Sequence, residues 1–461
     1  MNPAAAPAVL VTVGILLFTV LIVVLAASFG YRRGLRPIVL ALLAISLLSL
    51  PLFASAPNGI ALNGMLATDL FTTLFAALFL AVAFTVILGL ETPTPPMLAS
   101  VLLATAGMTL AAGARDLLLL YLAIELSSAP LYALLAAKRT PRRLEAATKY
   151  FIVSILSSAL LLLGIVLLAV PMGTTLIPAL AGTIALGPLS LRGAGLFLAG
   201  LGFKLGVWPF NLWVPDVYEL GPTEIAGFLA GASKKAAFAA LLRASIVIIP
   251  LFADWTFALA LLAALTMTIP NLIALAQEDA RRLVAYSIMT HAGYLLMGVA
   301  VATSAGYAAL SLHAIAHAFL AVGAFLCVGV FAANRLHRVA DLAGGARRSP
   351  YLAAALTLFL LGLAGMPLLS GFWSKLYLFT ESARVGLVWL VALAILNSVI
   401  SLYYYFRIIR SLYGQENAGK TILVRTPTLW AVGICLVVTI VIGLWPGPFL
   451  ELATVAAGML G

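Results

Sequence analysis

Four sites in the sequence place ionisable side chains inside long apolar stretches: Glu125, Lys204, the adjacent Lys234 and Lys235, and Lys375. A charge at the centre of a bilayer costs about 2.5–3.5 kcal/mol on insertion scales, so each site needs a partner, a water-filled cavity or a function. Glu125 has no basic residue within two helical turns. Its partner must therefore come from another helix, either in a structural ion pair or in a proton path.

Helix-breaking residues surround two of the lysines. Lys204 lies between Gly202 and Gly206, and a proline follows five residues later. Proline removes a helical hydrogen bond and clashes with the carbonyl four residues earlier. The segment 365–371 (GMPLLSG) precedes Lys375 in a similar way. We expect broken helices at both lysines, and broken helices mark ion sites in transporters. A lysine that snorkels to the interface is the alternative at Lys204.

A buried lysine with a movable carboxylate partner can act as a proton switch. Burial disfavours the charged amine, and a nearby carboxylate favours it. Glu125 could therefore control whether Lys204 holds its proton, and further lysines in series could pass protons along the membrane midplane. Because consecutive helical residues point about 100° apart, Lys234 and Lys235 cannot share one partner. One of these two either snorkels or faces a second cavity.

Three histidines, His291, His313 and His317, lie between these sites in sequence. His313 and His317 are four residues apart, a spacing that can ligate zinc on a helix. No Cys, Asp or Glu lies near them in sequence, so a metal site is disfavoured. Imidazole titrates near neutral pH, which favours a proton relay; structural histidines are the alternative.

The composition is that of a polytopic membrane protein. Of 461 residues, 64% are hydrophobic and 9% are charged, and the mean hydropathy is +1.16. Ordinary soluble domains are about half apolar and about a quarter charged, so the composition argues against a soluble enzyme, a disordered tail or a nucleic-acid binder. Two cysteines cannot build a four-ligand zinc or iron–sulfur site. The sequence also contains no GxGxxG or Walker motif, which argues against nucleotide binding.

A length of about 20 apolar residues per span predicts fourteen transmembrane helices, the first retained rather than cleaved. They lie near 8–29, 36–56, 67–90, 96–113, 116–137, 147–170, 192–209, 222–243, 256–276, 283–303, 306–333, 350–379, 385–406 and 427–447. We expect 171–191 to be an irregular loop. With the loops after odd-numbered spans on the cytoplasmic side, 18 basic residues lie there and 4 lie opposite. This asymmetry follows the positive-inside rule and predicts both termini on the outer side.

Lys204 and Lys375 fall on the seventh and twelfth spans. This odd offset of five predicts two inverted five-helix repeats in an all-α fold, each with a broken helix. We expect an N-terminal three-helix segment at 1–95, repeats at 96–243 and 256–413, and a C-terminal helix at 427–461.

Long motifs around these residues resemble a known family. The chain is similar to subunit N of the proton-translocating NADH–quinone oxidoreductase, respiratory complex I, a member of the antiporter-like subunits. The motifs are 122–132 (LAIELSSAPLY), 145–151 (EAATKYF), 202–219 (GFKLGVWPFNLWVPDVYE), 281–287 (RRLVAYS), 291–294 (HAGY) and 365–375 (GMPLLSGFWSK).

The resemblance implies roles for the buried charges. Glu125 and Lys204 would be the coupling pair, Lys234 the central relay and Lys375 the terminal exchange site. The chain would be a non-redox subunit of a translocase without a cofactor of its own. NADH, FMN, iron–sulfur clusters and quinone would belong to partner subunits. The expected partners are antiporter-like paralogues, small membrane subunits and lipids, with no nucleic acid, in a bacterial plasma (inner) membrane.

The sequence departs from the family pattern at three positions. Asn211 stands where many members have His, and Glu224 is an additional acid. Lys235 is an additional base beside Lys234, so either of these two lysines could be the central relay. The alternative functions are a subunit of a multi-subunit cation/proton antiporter or of a related membrane-bound hydrogenase. A third alternative is a purely structural membrane scaffold.

Overall fold

Apolar stretches of this chain become helices, because a backbone in lipid must satisfy its own hydrogen bonds. The computed structural model describes residues 8–31, 34–53, 59–136, 140–183, 187–251, 255–415 and 421–460. Five of the basic residues counted above lie outside the described residues: Arg32, Arg33, Lys138, Arg139 and Lys420.

Twenty helices follow one another in the described chain. They are α1 (Ala8–Ser28), α2 (Leu35–Phe53), α3 (Leu70–Gly89), α4 (Pro95–Gly113), α5 (Leu117–Ala136), α6 (Pro141–Ala169), α7 (Ile177–Thr183), α8 (Pro188–Leu205), α9 (Val214–Leu220), α10 (Thr223–Phe228), α11 (Lys234–Ile248), α12 (Trp255–Leu275), α13 (Ala280–Ala300), α14 (Ser304–Ala333), α15 (Gly345–Arg348), α16 (Pro350–Ala364), α17 (Ser370–Arg384), α18 (Val388–Leu412), α19 (Thr426–Leu444) and α20 (Gly447–Ala457).

Ten helices in the described part of the chain are long and apolar enough to cross a membrane. They are α1, α3, α4, α5, α6, α12, α13, α14, α18 and α19, and they coincide with ten predicted spans. The other four predicted spans correspond to shorter or interrupted helices: α2, α8 with α9, α10 with α11, and α16 with α17. The polytopic all-α fold with broken seventh and twelfth helices is confirmed. The count of fourteen and the segment boundaries stay predictions.

Three local features differ from the expectations or were missed by them. The segment 171–191 contains α7, and α8 already begins at Pro188, because proline is favourable in the first helical turn. A short antiparallel hairpin, β1 (Gly59–Ala61) and β2 (Leu66–Thr68), precedes α3. Helix α20 follows the last predicted span and packs against α14.

The helices α13 and α14 lie at the centre of the protein. Within their apolar windows, 94% and 89% of the residues are buried, against 33% for α1 and for α18. Exposed apolar side chains such as Phe18, Ile155 and Val437 lie on the outer helices. Side chains on α13 and α14 are therefore shielded from lipid.

Candidate functional site

Glu125 and Lys204 form an ion pair between α5 and α8. The Lys204 Nζ lies 3.2 Å from the Glu125 Oε1. The same amine donates to Ser128 Oγ at 3.2 Å, Tyr132 OH at 2.9 Å and Ser154 Oγ at 2.7 Å. Lys204 is buried, whereas the Glu125 side chain is 27% exposed. The lysine therefore retains three hydroxyl partners if the carboxylate moves away.

Close packing of α6 against α8 positions this pair. A Cβ at Gly164 would lie 2.4 Å from the Phe197 nitrogen, so the backbones meet without an intervening side chain. Small residues permit such an approach between membrane helices. Ser157 on α6 donates to the Gly200 carbonyl of α8 at 2.6 Å. The next residue of α6, Ser158, donates to Glu125 Oε1 at 2.5 Å.

The seventh span breaks directly after Lys204. Helix α8 ends at Leu205, and Gly206 adopts φ +69°, a left-handed conformation that glycine tolerates best. The Val207 N–H closes the turn on the Gly202 carbonyl at 3.2 Å. A Cβ at Gly206 would lie 3.1 Å from the Lys234 Nζ, so the break admits the amine of the next span.

Lys234 and Lys235 point in different directions from a helical irregularity. A π-helical turn, Leu229–Ser233, separates α10 from α11 just before them. The Lys234 Nζ lies 5.4 Å from the centroid of the Tyr218 ring and has no hydrogen-bond partner among the described residues. The Lys235 Nζ donates to the Ala230 carbonyl and lies 2.6 Å from His317 Nδ1. Both side chains are buried, so neither snorkels.

The three histidines form a row between Lys235 and α17. The rings of His317 and His291 have centroids 4.4 Å apart. His291 Nδ1 lies 3.2 Å from His313 Nε2. His313 Nδ1 then lies 2.9 Å from the Ser374 Oγ, one residue before Lys375. Hydrogen-bonded rings of this kind can exchange protons through their two nitrogens.

Lys375 occupies the break of the twelfth span. Helix α16 ends at Ala364, and Gly365 has φ +92°. The Lys375 Nζ donates to the Leu363 and Ala364 carbonyls at 2.9 and 3.0 Å, and to Ser398 Oγ at 3.2 Å. These are carbonyls of the last helical turn, which a continuing helix would occupy. The broken helix thus supplies the polar partners of the buried amine.

The structure arranges the seven predicted site residues in a series, here called the polar row, in which the Lys234 amine has no hydrogen-bond partner among the described residues. It leads from Glu125 and Lys204, past the break at Gly206, to the paired lysines, the histidines and Lys375. Sequence reasoning missed the hydroxyls that join the row: Ser128, Tyr132, Ser154, Ser158, Ser374 and Ser398. For Ser128 and Tyr132 the signal was helical spacing, since positions 125, 128 and 132 recur on one helix face.

Metal binding receives no support from the geometry of this row. No group of three or more His, Cys, Asp or Glu side chains in the described segments could hold a metal ion. The row instead contains amines, imidazoles and hydroxyls, all of which can both give and accept protons in one protonation state or another.

The fold and this row define a class of protein: a polytopic membrane protein with ionisable groups buried at broken helices. A sequence model of the family described as "NADH:quinone oxidoreductase/Mrp antiporter, TM" matches residues 114–401. The chain belongs to this family.

Individual relatives agree with the family match. The F(420)H(2) dehydrogenase subunit N of Methanosarcina mazei is 37% identical over 418 residues, which cover 86% of this chain and 85% of the relative. The NADH-quinone oxidoreductase subunit N of Desulforamulus reducens is 36% identical over 92% of both chains. A chain in a structure of respiratory complex I from Thermus thermophilus is 33% identical, with a TM-score of 0.84 and coverage of 96% and 99%. The resemblance to subunit N is confirmed.

Proposed function

We propose that the chain is a proton-translocating membrane subunit of an NADH–quinone oxidoreductase, driven by quinone reduction in other subunits. Protons would move through Glu125, Lys204, Lys234, the three histidines and Lys375. The similarity to subunits N from several organisms supports the type of complex. The polar row supports the transport role, because charges at such depth are expensive unless they serve a purpose.

The observation that carries the proposal is the ion pair of Glu125 and Lys204 with its three alternative hydroxyl partners. Withdrawal of Glu125 would leave the Lys204 amine among neutral hydroxyls, where burial disfavours its charge. Opening and closing this pair would therefore control whether Lys204 holds a proton.

The other residues extend the path away from the pair. Lys235 and the histidines lie within hydrogen-bonding or ring-contact distance of one another, up to Ser374. We assign Lys234 to the exchange with Lys204, because its amine lies against the break of the seventh span. We assign Lys235 to the exchange with His317. Both lysines therefore belong to the relay.

The proposal includes partners and a location. NADH, FMN, iron–sulfur clusters and quinone would be bound by partner subunits, and this chain would contact antiporter-like paralogues, small membrane subunits and lipids. The complex would lie in the bacterial plasma membrane with both termini of this chain outside.

Proton pumping by the intact complex in inverted membrane vesicles tests the relay. Glu125→Gln and Lys204→Ala should each lower the protons moved per electron at least tenfold, because they remove the switch. Reduced F420 should be offered as a second donor beside NADH, since the Methanosarcina relative is named for it. Arg384→Ala is the control, because Arg384 is an exposed residue paired with Glu381.

Wild-type pumping in assembled Glu125→Gln and Lys204→Ala complexes would refute the relay and favour a scaffold. Sodium-driven proton exchange by the purified chain in liposomes would favour a self-contained antiporter instead.

A further inference from the structure

Two arginines at the end of the protein that is rich in basic residues carry charges that no acidic side chain balances. Arg36 lies in the first turn of α2, and Arg425 directly precedes α19; together they are called the arginine pair. The Arg36 Nη2 is buried and has no hydrogen-bond partner among the residues that the structure describes. Neither arginine takes part in an ion pair within the described segments. Since buried donors are ordinarily paired, the Arg36 guanidinium requires an acceptor that no described residue supplies.

The two guanidinium groups also lie close enough for their charges to repel each other. Both arginines stand at helix N-termini, where the helix dipole adds further positive potential. Arg425 donates from Nη1 to the Glu91 carbonyl at 2.6 Å, but Glu91 itself contributes to the wall of a cavity that neither arginine lines. The arginine pair therefore concentrates positive charge around an unpaired donor. Because guanidinium groups bind phosphate through two parallel hydrogen bonds, a phosphate group is the anion that suits this arrangement.

Exposed apolar side chains surround the arginine pair in sequence. Ile38 is 47% exposed, Leu423 is 91% exposed and Trp430 is 67% exposed. The helices α2 and α19 both pack against α3, and Arg425 reaches the carbonyl two residues beyond the end of α3. Tryptophan is enriched where a membrane meets water. The arginine pair thus lies at the end of three packed helices, beside apolar surface that is suited to acyl chains.

We propose that Arg36 and Arg425 bind the phosphate of an anionic phospholipid in the cytoplasmic leaflet, with its acyl chains against the exposed surface of α2 and α19. Basic pockets between membrane helices on the cytoplasmic side bind such headgroups, and that leaflet is negatively charged. The concentration of basic residues at this end of the protein places the site on the cytoplasmic side. The lipid site does not depend on the proton relay, so either can be rejected while the other stands.

Photolabelling of the intact complex measures lipid binding at this site without turnover. The complex is placed in phosphatidylcholine vesicles that contain a trace of phosphatidylglycerol with a diazirine near the top of one acyl chain. After illumination, mass spectrometry locates the adducts along the chain. We expect adducts on α2 and on residues 421–430. Arg36→Gln and Arg425→Gln should each lower this labelling about fivefold, and the double variant about 25-fold, the magnitude expected for basic residues at an anionic surface.

A matched pair of arginines controls for a general loss of charge. Arg347→Gln combined with Arg410→Gln removes the same charge from two exposed arginines at the same predicted end, and it should leave labelling of α2 and 421–430 unchanged. Unlabelled phosphatidylglycerol should compete with the probe, whereas inorganic phosphate should not. If the double variant of the arginine pair does not assemble, the single variant of the exposed Arg425 provides the measurement.

Three results would overturn the proposal. One is labelling of α2 and 421–430 that stays at the wild-type level when the arginine pair is replaced. Another is an equal loss in the control that replaces Arg347 and Arg410, which would indicate attraction to the whole basic surface. The third is displacement of the probe by inorganic phosphate, which would assign the arginine pair to a soluble anion.

Discussion

Two acid–base pairs in this protein, one buried and one partly buried, differ in how firmly their partners are held. Arg243 Nη2 lies 2.6 Å from Asp69 Oδ1, its Nε donates to the Ala112 carbonyl at 2.8 Å, and Thr72 bonds both partners. Such a closed set of contacts fixes both charges. Lys204, in contrast, has hydroxyls on two helices besides Glu125. The first pair is suited to stability, and the second is consistent with the proposed proton relay.

Replacing Asp69 should destabilise the protein in a pH-dependent manner. Asp69 precedes the first residue of α3. Burial by itself would raise the pKa of its carboxyl, but the charge of Arg243 and the hydrogen bonds from Arg243 and Thr72 hold that pKa below its ordinary value. The pair therefore contributes fully above the unfolded pKa of about 3.9, and its contribution is lost as pH falls through the folded pKa. Asp69→Asn should lower the free energy of unfolding by about 3–5 kcal/mol at pH 7.

Unfolding of the detergent-solubilised protein at pH 7 and at pH 3 measures this effect. The difference between wild type and Asp69→Asn should shrink at the lower pH. The control Glu381→Gln breaks an ion pair with the exposed Arg384 and should cost at most about 1 kcal/mol. An unchanged difference at pH 3 would contradict the assignment.

At the scale of elements, three helix irregularities lie beside the buried lysines. They are the break at Gly206, the π-helical turn Leu229–Ser233 and the break at Gly365. At the second and third, backbone carbonyls accept hydrogen bonds from Lys235 and Lys375. In a regular helix those carbonyls would accept hydrogen bonds from backbone N–H groups of the same helix. The irregular backbone thus provides polar contacts in a part of the fold where side chains are mostly apolar.

Alanine at Gly206 should impair pumping more than its effect on stability explains. A left-handed φ costs an alanine about 1–2 kcal/mol, and the new Cβ would lie 3.1 Å from the Lys234 amine. Gly386→Ala is matched, because Gly386 has φ +85° and nothing within 4 Å of a Cβ. Proton pumping and thermal stability should be measured on both. Gly206→Ala should lower protons per electron severalfold, and Gly386→Ala should not. Equal losses would remove the special role of the Gly206 contact.

The sequence predicted the breaks better than it predicted the π-helical turn. Glycine and proline near Lys204 and Lys375 act locally on the backbone, so their effect is readable from a single segment. The π-helical turn adds one residue within an apolar stretch, LAGAS, that hydrophobicity alone cannot distinguish from regular helix. The hairpin β1–β2 and the helix α20 are shorter than any span and therefore escape a criterion of about 20 apolar residues.

The contacts among the site residues were likewise only partly predictable from the sequence. The cost of isolated charges predicted that Glu125 has a partner on another helix, and Lys204 of α8 is that partner. The contact between Lys235 and His317 was not predicted, because it joins residues 82 positions apart in sequence across two helices. Such contacts depend on how α10 and the π-helical turn Leu229–Ser233 pack against α14.

At the scale of the whole molecule, charged residues link α9 to two groups of helices. Lys149 of α6 and Arg282 of α13 each contact Asp216 at 3.0 Å, and Arg282 also contacts Glu219 at 2.7 Å. Helix α9 is the second half of the broken seventh span. These partly exposed pairs therefore connect the two predicted repeats at the end of the protein that is rich in basic residues.

The proposed orientation predicts from which side of the membrane each end of the protein is accessible. Arg347 and Arg384 are both exposed and lie at opposite predicted ends. Because basic loops remain cytoplasmic, Arg347→Cys should react with an impermeant thiol reagent in inverted vesicles, and Arg384→Cys only in right-side-out vesicles. Both variants are made in a background in which Cys327 and Cys435 of this chain are replaced by alanine. Reaction of both from one side, or the reverse pattern, would exclude the proposed topology.

Helix α14 runs for 30 residues, about 45 Å, without an interruption. His313 and His317 lie on the same rigid rod as Phe325, which follows His317 by eight residues, or about 12 Å. An axial shift of α14 would change the His317–Lys235 distance and the contact between the Phe325 and Tyr218 rings at the same time. Because the Tyr218 ring lies beside the Lys234 amine, one movement of α14 would change the surroundings of both adjacent lysines of the proposed relay.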